Sequence, residues 1–451
     1  MATQQASLST PQTPVLVRTS ATQTALTDGR VLLAGGTTNG STGGTRHAEV
    51  FTYASPNTTW QATGQLNVGR YDHAATRLQD GRVLVSGGIT TNGDWTSAEL
   101  YNPTSGQWTT VAAMSTARAR HTQTLLGNGK VLVVGGVNPT TTQGLASAEI
   151  FDPATGTWTA TAAPSFAYSS HSATPLPDGR VLVLGNRKEH ELYNPSTNTW
   201  ARTADSPSTI SAGHTATVRT RSYVDVVVVG ATWNNAGATP IGYQYLPNTN
   251  VWNNVSAPTV PRKGHQAVKL GNGAVRIVGG VHPTLGTPIT TVERYNTNAN
   301  WYTEPLLGQG RRDVQATLVG TSDPMLVNGG WTAPTDGGTP ARLAPELYSG
   351  CVAKTACGAG QCNLISDNCG GSIDCGTNCP IGQSCDWMTN QCKPECTPID
   401  LCWLQSRCGI QPADTCGTTT VDCGPCTLNC PPGKVECCGG CYDDSQCNSV
   451  C

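Results

Sequence analysis

The chain has 451 residues, a net charge of −2 and only 12% charged residues, which excludes a basic field built for nucleic acid or acidic lipid. No run approaches the roughly 18 apolar residues of a membrane span, and the length allows two or more domains or one repeat array with an appendage. All 20 cysteines lie between Cys351 and Cys451, dividing the chain before any element is assigned.

The first 350 residues repeat at a spacing of about fifty. DGRVLLAGG begins at Asp28, DGRVLVSGG at Asp80, NGKVLVVGG at Asn128, DGRVLVLGN at Asp178 and NGAVRIVGG at Asn272; weaker copies end at Gly230 and Gly330. Asp-Gly and Asn-Gly are hairpin signals, because both central residues of a type I′ turn need positive φ. The short β-branched runs after them suit strands buried on both faces, and the Gly pair ends the strand where backbones approach closely. Further on, an aromatic precedes a Trp by seven residues: Tyr53 to Trp60, Tyr101 to Trp108, Phe151 to Trp158, Tyr193 to Trp200 and Tyr245 to Trp252; in the sixth copy, Tyr295 to Trp301, the gap is six. Each copy therefore predicts four strands: one before the turn, the VLVxGG strand, the AELY strand and one carrying Trp.

These elements, recurring together, resemble the kelch repeat, whose copies form propeller blades; the DGRVLVxGG spelling is most similar to the galactose-oxidase-like branch. The expected fold is all-β: a seven-bladed kelch-type β-propeller over residues 1–350, with anchors at Gly35, Gly87, Gly135, Gly185, Gly230, Gly279 and Gly329. The seventh copy, from Arg311, meets Cys351 without its Trp strand. Residues 2–10 align with that position and are expected to close the ring, since an open sheet edge is a liability.

Repeated residues point first to the scaffold. Glu49, Glu99, Glu149, Glu191, Glu293 and Glu346 are expected to hold strands or blades together, and the repeat Trp residues to be core. His73, His121, His171, His214 and His265 share one position on the first strand, which the resemblance places nearest the central channel. They are expected to bond a neighbouring blade, with a metal ring as the sharper alternative.

The loops after each Gly pair are long and differ between blades, and variable loops on a rigid scaffold are where binding sites gather. They carry Asn92, Asp94 and Trp95 in blade 2, Trp233 and Asn234 in blade 5, His282 in blade 6 and Trp331 in blade 7, while blade 4 offers Arg187, Lys188 and His190. Arg18, Arg70, Arg118, Arg262, Arg311 and Arg312 enter from the same face. Trp faces beside Asn, Asp and Thr suit neutral sugars, and the Arg residues suit a carboxylate or sulfate. The resemblance also raises a copper-radical oxidase, but that site needs a Cys joined to a Tyr, and the propeller has no Cys. The fold is expected to carry over without that chemistry, and no cofactor is expected.

The tail is read as three modules, 351–395, 396–429 and 430–451. Cys351, Cys357, Cys362, Cys369, Cys375 and Cys379 match Cys396, Cys402, Cys408, Cys416, Cys423 and Cys426 in order; the first module adds Cys385 and Cys392, and the third holds Cys430, Cys437, Cys438, Cys441, Cys447 and Cys451. All are expected in disulfides of unassigned connectivity, in modules similar to those of secreted myxobacterial proteins. The opening residues have no basic start or apolar run, so secretion or surface display is expected from the cysteines alone, with any leader outside this sequence. Together these features predict an exported binding or adhesion protein whose loop face takes an extracellular ligand, glycan first, without nucleic-acid partners. An extracellular enzyme using the propeller funnel and a structural matrix component are the alternatives.

Overall fold

The computed structural model describes residues 14, 16–38, 43–54, 57–234, 237–319, 324–332 and 342–348, together with the backbone of eight short tail strands. The chain divides into Met1–Cys351 and Val352–Cys451. The first unit is a seven-bladed propeller: six four-stranded antiparallel sheets and a seventh with three described strands. Among the described residues there is no helix, hence none long and apolar enough to cross a membrane. Residues 2–10, expected to complete the seventh blade, lie outside the described residues.

Blade 3 shows the plan. Its strands are Thr122–Leu125, Val131–Val134, Ala148–Asp152 and Thr157–Ala160, paired in that order. The second strand, VLVV, is fully buried because sheets pack on both of its faces. Between the first two strands, Asn128 Oδ1 accepts from the Lys130 N–H (3.1 Å) and Gly129 has φ +82°. Neighbouring first strands touch all the way round, from Thr22–Ala25 to Gln315–Leu318 and back, so they line the axis.

Each aromatic faces its Trp across the third and fourth strands, as in Tyr101↔Trp108 and Tyr193↔Trp200, with centroids 5.0 Å apart in both. Blade 1 corrects the expected pair. Phe51, not Tyr53, opposes Trp60, because two further residue pairs, Tyr53↔Thr58 and Ala54↔Asn57, lengthen that hairpin. The indole N–H then reaches back one blade: Trp108 to Gly64 O (2.7 Å), Trp158 to Ala112 O (2.8 Å) and Trp252 to Ala204 O (2.9 Å).

The Gly pair staples blades together. Gly88 N–H donates to Arg118 O (2.9 Å) and Gly136 N–H to Tyr168 O (2.8 Å), each in the following blade. Gly87, at φ +57°, leaves no room for a side chain: a Cβ there would lie 2.4 Å from Arg118 O.

Blade 5 departs from the plan. Its second and third strands run Val224–Asn234 and Gly237–Leu246, with Trp233 opposite Ala238 and Asn234 opposite Gly237. The segment expected as a loop is thus a hairpin arm continuing the blade. In the tail unit four two-stranded hairpins are described, one of which sets Cys385 opposite Cys392. The cysteine side chains, and with them the expected disulfides, lie outside the described residues.

Candidate functional site

The Arg series is the main correction. Arg70 and Arg118 are fully buried. Arg118 donates to Glu149 Oε1 (2.8 Å), Gly135 O (2.8 Å) and Ser147 Oγ (3.2 Å); Arg70 donates to Glu99 Oε1 (2.9 Å), Gly87 O (2.8 Å) and Ser97 Oγ (3.1 Å). Arg18 pairs with Glu49, Arg262 with Glu293 and Arg311 with Glu346 in the same way. Burial draws these guanidiniums down from their ordinary value while the partner Glu raises them. Glu99, Glu149, Glu293 and Glu346 also tie down the strand connection, as Glu149 does by accepting from Ser115 N–H (2.7 Å) and Thr116 N–H (3.2 Å). Arg70, Arg118, Arg262 and Arg311 enter from the loop face as expected, but they end inside their own blades and are not free to meet a ligand anion. The Glu residues hold the scaffold, as expected.

Where the Arg is missing, the buried contact is rebuilt with a Tyr hydroxyl. Blade 4 has Tyr168, whose hydroxyl donates to Glu191 (2.9 Å). Blade 5 has lost both partners, and the Tyr243 hydroxyl meets Ser208 Oγ (2.6 Å) instead.

The His residues are joints. His73 Nε2 meets Thr22 Oγ1 (2.9 Å), His121 meets Ser86 Oγ (3.0 Å), His171 meets Thr122 Oγ1 (2.9 Å), His214 meets Ser172 Oγ (3.0 Å) and His265 meets Thr215 Oγ1 (2.8 Å), each in the preceding blade. Desolvation lowers all five, His73 and His171 to about 3, so the rings are neutral. His190 is also buried, bonded to Ser206 Oγ (3.1 Å) and packed on Trp252, and therefore belongs to the core rather than the rim. Among the described residues no three His, Cys, Asp or Glu stand together as a metal-binding group. With the five imidazoles committed to hydroxyls, the donor set of a copper-radical centre does not fit here.

At two joints the imidazole is replaced. Val314 abuts Gly279 between blades 6 and 7. Between blades 7 and 1 the position is Ala21, beside a small cavity lined by Arg18, Ser20, Asp313, Gln315 and Asn328. There Gln23 Nε2 reaches Leu326 O (3.1 Å), Gln315 Nε2 reaches Ala21 O, and both amide oxygens are buried without a partner among the described residues.

A feature not read from the sequence rings the channel mouth. Two residues after each Arg position, all seven blades adopt positive φ: Ser20, Asp72, Arg120, Ser170, Gly213, Gly264 and Asp313. Five are not glycine, and backbone held in this region concentrates at functional sites. Adjacent members bond through the backbone, Asp72 N–H to Ser20 O (3.1 Å) and Arg120 N–H to Asp72 O (2.8 Å). The Asp72 carboxylate pairs with exposed Arg120 (2.8 Å). The signal was a column of small, polar or Gly residues just before each His.

Outside this hoop lie the unrepeated groups. Asn92 and Asp94 are exposed, and Asp94 Oδ1 accepts from the Thr96 hydroxyl (2.7 Å), shaping a turn that presents half-buried Trp95. His282 is half-buried and its Nδ1 accepts from Leu285 N–H (3.2 Å). Arg187 lies over the Phe166 ring at 4.4 Å, and Arg342 over Trp331 at 4.8 Å. Phe166 and Arg342 were missed from the sequence because neither occupies a repeat position. The backbone places Trp233 and Asn234 near the tip of the blade 5 arm.

Comparison with known families finds a Kelch motif over residues 121–164, which is blade 3. No curated protein matches the chain. Among solved structures, a novel fungal alcohol oxidase of the AA5 family in complex with copper is similar over 78% of each chain, with a TM-score of 0.61 and 15% identity. The structure of YjhT aligns over 65% of this chain and 99% of its own, with a TM-score of 0.49 and 16% identity. At such identities the oxidase shares the fold. What is established is therefore a seven-bladed β-propeller carrying a Kelch motif, a scaffold suited to binding or to enzyme-like chemistry.

Proposed function

We propose that this chain is an exported binding protein that takes a glycan on its loop face, with the cysteine-rich tail serving attachment or spacing. One observation carries the reading. The ionisable groups that repeat, Arg with Glu and His with hydroxyl, are spent inside the scaffold, whereas the polar and aromatic groups that do not repeat stand on the variable rim. Aromatic surfaces beside Asn, Asp and Thr give sugar rings an apolar contact with hydrogen bonds around it. Screening the full chain on a glycan array tests this: binding reduced at least 10-fold by Trp95→Ala or Trp331→Ala is expected. Absence of any bound glycan would defeat the proposal.

A second reading is favoured by the strained hoop. Asp72 and Asp313, both at positive φ at the mouth, suit carboxylate-based chemistry on a bound saccharide. Product release from polysaccharide that vanishes in both Asp72→Asn and Asp313→Asn would establish it over simple binding.

A further inference from the structure

Setting aside the ion-paired guanidiniums leaves a few whose charge no described carboxylate answers. Arg342 is the clearest. Its Nη2 donates to the Thr37 hydroxyl (3.4 Å), while its Nε and Nη1 are buried without a partner among the described residues. Its pKa is drawn down by burial alone, with no acid raising it. Arg311, by contrast, is held by Glu346.

Arg342 does not stand by itself. Trp331 is bridged in antiparallel register to Arg312 on one side and to Arg342 on the other. Directly opposed residues of neighbouring strands project to the same face, so Arg312, Trp331 and Arg342 leave the backbone side by side on one face. Arg342 stacks on the Trp331 indole at 4.8 Å, and the Arg312 Nε also lacks a partner among the described residues. Unpaired buried donors are expensive and an anion relieves them, while a guanidinium fixed by stacking presents its N–H groups to an oxyanion with little further loss of freedom.

Resting on the glycan reading above, we propose that Trp331, Arg342 and Arg312 form a subsite for an acidic sugar residue. The indole supplies the apolar contact and the guanidiniums take a carboxylate or sulfate ester.

Titration calorimetry on the full chain with four probes tests this: an oligogalacturonate, its methyl-esterified form, a sulfated galactan oligosaccharide and an oligoglutamate of matched charge. At least one acidic saccharide is expected to bind 10-fold or more tighter than the neutral ester, and more weakly as salt rises. The tighter of the two identifies the anion as carboxylate or sulfate. Arg342→Gln should remove that preference at unchanged melting temperature, while Arg30→Gln, on the opposite face, leaves it intact. Should Arg342→Gln unfold, Arg342→Lys and Arg312→Gln replace it, the former keeping charge but losing the planar fork. Equal affinity for acid and ester, untouched by these substitutions, overturns the subsite while the glycan reading stands. Oligoglutamate binding as tightly as the saccharides overturns it in favour of an acidic peptide. A chain that binds no probe and no arrayed glycan overturns both.

Discussion

A buried guanidinium is tolerable only while its carboxylate is present. Arg118 and Glu149 are both shut away from water, and removing one partner of such a pair leaves an uncompensated charge, at about 3–5 kcal/mol. Arg118→Ala is therefore expected to lower stability by about that amount in urea unfolding. Arg118→Tyr should cost clearly less, because blade 4 already meets Glu191 with the Tyr168 hydroxyl. Equal losses in the two variants would show that the hydroxyl solution does not transfer. The joint histidines give a pH signature. In the folded protein His73 and His171 are lowered to about 3, whereas an unfolded imidazole protonates near pH 6.5. Above about pH 6.5 neither state takes a proton there and the stability is fully present. Below it the unfolded chain binds protons that the folded chain refuses, and stability falls by up to about 1.4 kcal/mol per pH unit for each ring. Urea midpoints at pH 7, 6 and 5 should fall accordingly, before most carboxylates titrate, and His73→Gln should flatten the slope by one ring's share.

At the scale of the element, turn, buried strand and Gly pair were legible because each has local chemistry: a type I′ turn needs its Gly, and a strand covered on both faces needs an unbroken apolar run. Gly87→Ala should test the tightest of these contacts. Its positive φ and the Arg118 carbonyl both oppose a methyl group, so a loss well above about 1 kcal/mol is expected in thermal or urea unfolding. What was not legible was direction. An Arg entering from the loop face reads the same in sequence whether it meets solvent or its own blade, although the joint loss of Arg and Glu in blade 5 carried a hint. Hairpin length was equally hidden, since Tyr53 and Phe51 both satisfy an aromatic-before-Trp pattern and only register chooses between them. The blade 5 arm reads as a polar loop because Asn-Asn-Ala-Gly marks a turn, while the strand continues up to it. Of the candidate site, the varied rim was visible as sequence that stops agreeing. The stacked pairs were not, because Phe166 and Arg342 meet partners set by tertiary packing.

For the whole molecule the question is how the ring is completed. Indoles of blades 2 to 6 each reach a carbonyl in the preceding blade, yet the buried Trp60 indole N–H has no such partner among the described residues. The counterpart for Trp60 would come from the last strand of blade 7, the position with which residues 2–10 align. Deleting them is expected to lower the melting temperature by several degrees, roughly the effect of losing 1–2 kcal/mol; an unchanged value would refute closure by this segment. In the tail, a thiol titration of unfolded, unreduced protein should count near zero if the cysteines are paired.

The joint between blades 7 and 1 has one more consequence. Five joints are pinned by an imidazole and a hydroxyl, whereas this one relies on two amides whose oxygens find no partner among the described residues, one of them lining a small void. A ring of unequal links parts first at its weakest, so the propeller is better pictured as a clasp than as a rigid wheel. Amide hydrogens of Gln315–Leu318 and Thr22–Ala25 should exchange sooner than those of Thr122–Leu125. Arg342 of blade 7 also reaches the Thr37 hydroxyl of blade 1 across this joint, so a ligand held by Arg342 should slow that exchange.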